Sequence, residues 1–335
     1  MVVRGFEGGH GWGSVHRSVG LSTGHVPVLC EETINLVISN VTETRSGAGR
    51  VYVDATFGRG GHCLALLARL DPEDRVIAID RDKAAIAAGD EIAEAEPRLE
   101  MVHARFSELT AVLHDRGVDS VDGVIMDLGV SSPQLDEPER GFSFRGAGPI
   151  DMRMDQSSGE TAGEWLNRAD EAEIARVVRT YGEERYAKRI ARAIVQARPL
   201  ATTVALAEVI RDAIPARDRY KGGSDAATRT FQAIRMHVNE ELDEVAAGIR
   251  AAFGVLAPGG RLAVISFHSL EDRVVKQTFR ALSKGRDLPR NLPVRAEEAK
   301  PAGRVAAGPV RAGERELAAN PRARSATLRV LERLA

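Results

Sequence analysis

The stretch Val51-Tyr52-Val53-Asp54-Ala55-Thr56-Phe57-Gly58-Arg59-Gly60-Gly61-His62 decides the fold. Its first half reads as a buried strand ending on an acid; its second half is a glycine turn, after which Cys63 to Leu70 can start a helix. Glycine lets the backbone take positive φ and lie against a ligand with no Cβ in the way, so Gly58, Gly60 and Gly61 predict a molecule resting on the turn. A second strand, Arg75 to Ile79, ends on Asp80, about 20 residues past the glycines, where such an acid reaches the hydroxyls of an adenosine ribose. The plainer alternative is a strand-turn-helix whose glycines serve tight packing alone.

Charge narrows the choice of adenosine ligand. The turn lacks the Gly-Lys-Ser/Thr ending that grips phosphates, and Cys63 stands where a dinucleotide fingerprint wants Gly or Ala. Asp54, at the strand tip, would repel a pyrophosphate but attract the ammonium and sulfonium of S-adenosylmethionine. A dinucleotide-dependent oxidoreductase shares the turn and Asp80 but fits the rest less well.

With 335 residues, 28% charged and 43% hydrophobic, the chain is long enough for one large or two moderate domains. No apolar run is long enough to span a membrane, so no membrane partner is expected. The two cysteines, Cys30 and Cys63, form no disulfide framework and no paired metal-ligand spacing, which points to a cytoplasmic protein with no metal. Residues 1–23, rich in Gly, Ser, His and Val, look like a disordered leader and not a signal peptide. A net charge of -2 means that nucleic-acid binding must come from local basic patches.

Val121 to Met126 is another buried strand, ending on Asp127 before a long loop. The loop runs through Ser131-Ser132-Pro133-Gln134 and Arg140-Gly141-Phe142-Ser143-Phe144 to Ile150-Asp151-Met152-Arg153-Met154-Asp155. Connections this long without helix or strand tend to be functional, and in an open parallel sheet this loop and the glycine turn should face one crevice.

From His25 onward the chain resembles the RsmH (MraW) family of methyltransferases. The resemblance is carried by His25-Val26-Pro27-Val28-Leu29, the Asp54 to His62 turn, Ala78-Ile79-Asp80-Arg81-Asp82, the Asp127 to Asp155 loop and Tyr181-Gly182-Glu183-Glu184-Arg185. It resumes with Thr228 to Ala233, Ser266-Phe267-His268-Ser269-Leu270-Glu271-Asp272-Arg273 and Asn320-Pro321-Arg322-Ala323-Arg324-Ser325. Ala147 departs from the usual Asp before Gly-Pro, and Arg45 to Arg50 lengthen the first loop.

The resemblance implies a class I (Rossmann-like) α/β methyltransferase sheet with an inserted all-helical substrate domain. It implies S-adenosylmethionine-dependent N4-methylation of a cytidine in 16S rRNA, at the decoding centre of the small (30S) ribosomal subunit. It also implies donor contacts from Gly60, Gly61, His62, Asp80, Phe106, Asp127 and Gln134, beside Asp54. Read alone, Phe106 is equally a core aromatic. The oligomeric state is left open, a dimer included.

The sheet domain is expected at 24–137 and 227–335, with a helical insertion at 138–226. Asp170 with Glu173 makes an N-cap pair, Ile174, Val177, Val178 and Tyr181 recur at helical spacing, and Tyr186, Ile190, Ala193, Ile194 and Ala197 form a second stripe. That second helix leaves Arg185, Lys188, Arg189, Arg192 and Arg198 to solvent or to phosphates. Val204 to Ile214 is a third helix. Ala226 to Phe253 reads as one long helix, Arg261 to Ser266 as a strand ending near His268, Lys284 to Arg315 as mobile, and Ala326 to Leu331 as a final edge strand.

An exocyclic amine is a poor nucleophile, so acceptors must hold its hydrogens and aim its lone pair at the methyl group. Ser132 and Pro133 are the candidates for holding it, with Asp151 or His268 as proton acceptor. A non-catalytic ribosome-binding factor would use the basic helices but would not need an acid-lined crevice.

Overall fold

The computed structural model describes residues 27–38, 49–219, 225–284 and 300–335. The leader and residues 285–299 of the Arg-rich segment lie outside them. Seven strands form one sheet: β1 (Val51–Asp54), β2 (Arg75–Asp80), β3 (Leu99–His103), β4 (Val121–Asp127), β5 (Leu256–Ser266), β6 (Gly303–Val310) and β7 (Thr327–Arg333), in the order β3-β2-β1-β4-β5-β7-β6. β1 to β5 pair in parallel, and β7 runs antiparallel to both β5 and β6. This is the class I methyltransferase sheet.

Successive side chains of a strand point to opposite faces, and both faces of the sheet's centre are covered, which is why β1, β2 and β4 are largely apolar. Val53, Ile77, Ile79, Val124 and Met126 pack against helices Leu109–His114, Glu241–Val255 and Ser269–Ser283. Tyr52, Val76, Ala78, Ile125 and Ile265 pack against Cys30–Ile38, Gly61–Leu67 and Lys83–Ala93. Strand order reverses between β1 and β4, so their carboxyl-end loops diverge and open a crevice there. Among the described residues, no helix is long and apolar enough to cross a membrane.

A separate core of Trp165, Leu166, Ile174, Val177, Ile190, Ile194, Leu206 and Ile210 is built by helices Ala162–Arg168, Glu171–Gly182, Ala187–Gln196 and Thr203–Ala213. The N-cap pair forms as expected, Asp170 accepting from the Glu173 amide at 2.7 Å.

Four sequence-based expectations are corrected. The span 226–253 is two helices, Ala227–Val238 and Glu241–Val255, broken where Glu240 takes φ 53°. The first sends Phe231 and Ile234 into the helical core; the second sends Val245 and Ile249 into the sheet core. The closing strand β7 lies inside the sheet, because residues 303–310, expected to be mobile, form the edge strand β6. The loop after β4 contains a short helix, Ser132–Asp136. Arg185 and Arg198 are engaged: Arg185 lies 2.6 Å from Asp218, and Arg198 donates to the carbonyls of Leu166 and Ala169.

The helix break has an identifiable cause. Asn239, 1% exposed, accepts from the Met154 amide at 2.8 Å and donates to the carbonyls of Met152 at 2.7 Å and Arg235 at 2.9 Å. It thereby stitches the loop after β4 to the junction of the two helices. Asn239→Ala should cost about 2 to 4 kcal/mol, since a buried amide and carbonyl lose their partner. Asn239→Leu, which fills the volume without hydrogen bonds, should be no better. Urea unfolding of both variants checks this, and a near-wild-type Leu variant would contradict it.

Candidate active site

The crevice is built from the ends of β1, β2 and β4. At the glycine turn, Gly60 has φ 78°, and a Cβ on it would stand 2.8 Å from the Phe57 ring; a Cβ on Gly61 would stand 2.4 Å from Pro27. Only glycine allows the turn to lie flat between the buried Phe57 and the incoming Pro27 segment. Thr56 ties the two diverging loops together, its hydroxyl accepting from the Asp127 amide at 2.6 Å while its own amide donates to Asp54 at 3.1 Å.

Three carboxyl groups face this space, and no lysine or arginine is bonded to any of them among the described residues. Asp54 is 1% exposed and its Oδ2 is buried without a hydrogen-bond partner. Burial pushes its pKa up to about 6, against the pull of His62 and the Thr56 amide. Asp80 accepts from the amides of Gly58 at 2.7 Å and Asp82 at 2.8 Å, yet burial still raises it to about 6. Asp127 is pushed up to about 8, by burial first and by the nearby Glu271 second, and its Oδ1 is a further buried atom without a partner.

His62 stands between them. Its Nε2 lies 3.0 Å from the Val28 carbonyl and its Nδ1 3.5 Å from Asp127 Oδ2, while burial lowers its pKa. The neutral ring therefore gives its proton to Val28 and turns a lone pair toward Asp127. Clustered acids with no guanidinium or ammonium partner are costly to ionise unless a cation enters. The orphaned oxygens of Asp54 and Asp127 fit a ligand carrying a sulfonium and an ammonium.

Other residues singled out from the sequence are more occupied than expected. Gln134 accepts from the Ser131 amide at 2.9 Å and donates to Asp82 at 2.7 Å, so its side chain joins the loops after β4 and β2. Phe106 is half-buried and packs on the sheet core at the surface of Gly248, as the core reading expects. Ser132 and Pro133 open the helix Ser132–Asp136, and Arg322 Nη1 donates to the Ser132 hydroxyl.

Asp151 and His268 are poorly disposed as free bases. Asp151 accepts from Arg153 at its amide (3.1 Å), Nε (2.7 Å) and Nη2 (3.0 Å), and from Gln156 at 3.1 Å. Burial pushes its pKa upward, but these donors prevail and hold it below the usual range. His268 caps helix Ser269–Ser283, its Nδ1 accepting from the Glu271 amide at 3.4 Å, and its Nε2 lies 3.0 Å from Glu271 Oε1. Glu241, His268 and Glu271 gather potential metal-ligand atoms within 4.8 Å. Arg235 already holds both Glu241 oxygens, at 2.7 and 2.8 Å, so that charge is balanced within the protein.

Sequence reading missed Asp82 and Arg140. Asp82 caps helix Lys83–Ala93 and also accepts from Arg140 Nη1 at 2.7 Å; Arg140 Nη2 reaches the carbonyls of Arg153 and Met154. The signal that could have found Asp82 is the general preference for aspartate just ahead of a helix; its second duty, across 58 residues, leaves no local mark.

The sheet order, the glycine turn and the uncompensated acids at the switch point define a class I S-adenosylmethionine-dependent methyltransferase. The chain belongs to the MraW methylase family, whose model matches residues 22–334. Among solved structures it is similar to an rRNA methylase from Streptococcus thermophilus, with 12% identity over 91% of this chain and 93% of that one and a TM-score of 0.38. It is also similar to an O-methyltransferase from Thermotoga maritima (10% identity, 96% and 72% covered, TM-score 0.39). A third is NSun6 from Pyrococcus horikoshii with SFG (12% identity, 92% and 53% covered, TM-score 0.40).

The raised acids give a pH signature. The folded chain holds more protons than the unfolded one above the ordinary carboxylate value of 3.8. This stabilisation is therefore complete below that pH and is lost as pH rises through about 6 for Asp54 and Asp80, then about 8 for Asp127. A cationic donor binds the ionised form. From about pH 5.5 to 7.5, where its ammonium stays charged, donor affinity should rise with pH by up to about tenfold per unit. Asp127→Asn should flatten both the affinity profile and the loss of stability above neutral pH. Calorimetric titration across this range, with affinity constant in the wild type, would contradict the assignment.

Proposed function

We propose that the chain methylates the N4 amine of a cytidine in 16S rRNA, at the decoding centre of the small ribosomal subunit, in the cytoplasm. The observation that carries this reading is the meeting, at one switch point, of an orphaned Asp127 oxygen and the Ser131–Gln134 turn. The donor brings an electrophilic methyl group on a sulfonium. The protein's share is positioning: Asp54 and Asp127 attract the cationic end, Asp80 takes the ribose, Gly60, Gly61 and His62 form the floor, and Phe106 borders the adenine.

Ser132 and Pro133 meet the target base. Asp151 and His268, both held in place by their own partners, shape the surrounding loops. The methylated amine is cationic and strongly acidic as it forms, so it can release its proton to water without a dedicated base.

Residues 138–226, extended by helix Ala227–Val238, form the unit that holds the RNA. Helix Ala187–Gln196 supports this reading: Lys188, Arg189, Arg192 and Gln196 line a cleft of about 240 Å³ floored by Ala193 and Ala213. Arg189 also stacks over Tyr186, 5.9 Å from its ring centre. Such a cleft suits backbone phosphates.

Incubation with labelled donor and small ribosomal subunits, followed by nucleoside mass spectrometry, should yield N4-methylcytidine. A methyl group on carbon or ribose would refute the N4 assignment. The double variant Lys188→Glu/Arg189→Glu should weaken subunit binding and lower the slope of log K against log salt by about 2, with donor affinity unchanged. An unaltered slope would remove this helix from the RNA interface.

A further inference from the structure

The motif Asn320-Pro321-Arg322-Ala323-Arg324-Ser325 has no part in the reaction as derived so far, yet the topology delivers it to the crevice. β7 is antiparallel to β5, with Thr327 paired to Ser266, so the chain entering β7 lies at the carboxyl end of the parallel strands. Asn320 caps a single turn over Pro321–Ser325 by accepting from the Arg322 amide at 3.2 Å. Ala323 and Ala326, each 1% exposed, fasten that turn into the core that also holds Leu66, Ile125 and Ile265.

The anchored segment touches both sides of the site. Upstream, Glu316 Oε1 accepts from the Leu29 amide at 2.7 Å. Leu29 is fully buried with φ 52°, a backbone state that an ordinary side chain adopts only when its surroundings enforce it. The neighbouring Val28 carbonyl is the group that orients His62 toward Asp127. Downstream, the exposed Arg322 donates from Nη1 to the hydroxyl of Ser132, 190 residues away in sequence.

We propose that the segment Glu314–Ser325 is a wall of the active crevice and that Arg322 is a positioning residue for methyl transfer, acting through Ser132. A serine hydroxyl carries one proton and two acceptor sites. A guanidinium on one acceptor site fixes the rotor and sends the proton away from Arg322, toward the space where the target base enters. Ser132 then acts as a hydrogen-bond donor to an acceptor atom on the ring edge of the pyrimidine. Cytosine offers an unprotonated ring nitrogen beside its amine, whereas uracil carries a proton there. The pair thus favours cytidine and holds its amine in line with the methyl group. This inference rests on the proposed reaction and adds the device that selects the base.

The test is a double-mutant cycle on steady-state methylation of small subunits at saturating donor. Arg322→Ala and Ser132→Ala should each lower kcat about 10- to 100-fold, with donor affinity and thermal midpoint unchanged. The double variant should be no slower than the worse single one. Added guanidinium ion should restore part of the Arg322→Ala activity and none of the Ser132→Ala activity. Arg322→Lys, which keeps the charge, supplies the comparison if the alanine variant folds poorly, and should fall between wild type and Arg322→Ala.

An active wild type beside an unaffected Arg322→Ala, multiplicative losses, or rescue of both variants by guanidinium would overturn this inference alone. A wild type unable to methylate the subunit would overturn the proposed function and this inference with it.

Discussion

The buried carboxylate of Asp82 is the constraint on which the site depends. It caps helix Lys83–Ala93, receives the Gln134 amide at 2.7 Å and pairs with Arg140 at 2.7 Å, with both members of the ion pair under a tenth exposed. Taking two charges out of water is expensive, and such a pair persists only where further hydrogen bonds satisfy it. Arg140 meets that condition through the carbonyls of Arg153 and Met154, and Met154 is in turn held by Asn239. One chain of contacts therefore runs from the loop after β2, through the loop after β4, to the junction between the sheet and the helical core. A shift at Asp82 moves the floor of the crevice and the helical unit together.

The acids of this protein divide by whether the fold supplies their counter-charge. Asp82 has Arg140, Asp151 has Arg153, Glu241 has Arg235, and Asp272 has Arg329 at 2.7 Å; each joins segments of chain. Asp54, Asp80 and Asp127 receive backbone amides or a histidine ring and, among the described residues, no guanidinium. Each acid of the first group has its counter-charge supplied by the fold. Those of the second are driven toward the neutral form by burial, a state that an entering cation would relieve. Asp151 shows why the distinction matters: as a sequence feature it stood beside Asp127 as a candidate, and its bidentate Arg153 places it among the structural acids.

What was legible in the sequence was local. The strands β1, β2 and β4 declare themselves by short, mostly apolar runs ending on acids, and the glycine turn by residues that only a close approach explains. The helices of the insertion follow from 3.6-residue periodicity and the Asp170 cap. Illegible features all depended on partners remote in sequence. The apolar stripe from Phe231 to Phe253 carries on across the break at Glu240 with no Gly or Pro to mark it, because the break is imposed by Asn239 bonding to the loop at 152–154. β6 lacks a strand's apolar alternation because it is an edge strand, with Arg304 and Val305 exposed, and it exists by pairing with β7. Gln134 stands out in the sequence as part of the loop after β4, but its bond to Asp82 could be seen only in three dimensions.

The position of β7 explains how so distant a segment came to border the reaction. A parallel strand in that place would enter from the amino-terminal edge, and its preceding loop would lie on the far side from the crevice. Reversing it brings residues 314–326 to the carboxyl edge, beside the Pro27 turn and the loop after β4. The same reversal lets Glu332, near the other end of β7, bond Arg261 at 3.1 Å and Arg304 at 2.7 Å, locking β5, β7 and β6 in register. Register matters here because a slip by one residue would exchange the faces of Leu328 and Arg329 and carry Ala323 out of the core. The strand that closes the sheet thus fixes the height at which Arg322 meets Ser132, and a sheet-forming requirement becomes a constraint on the geometry of the site.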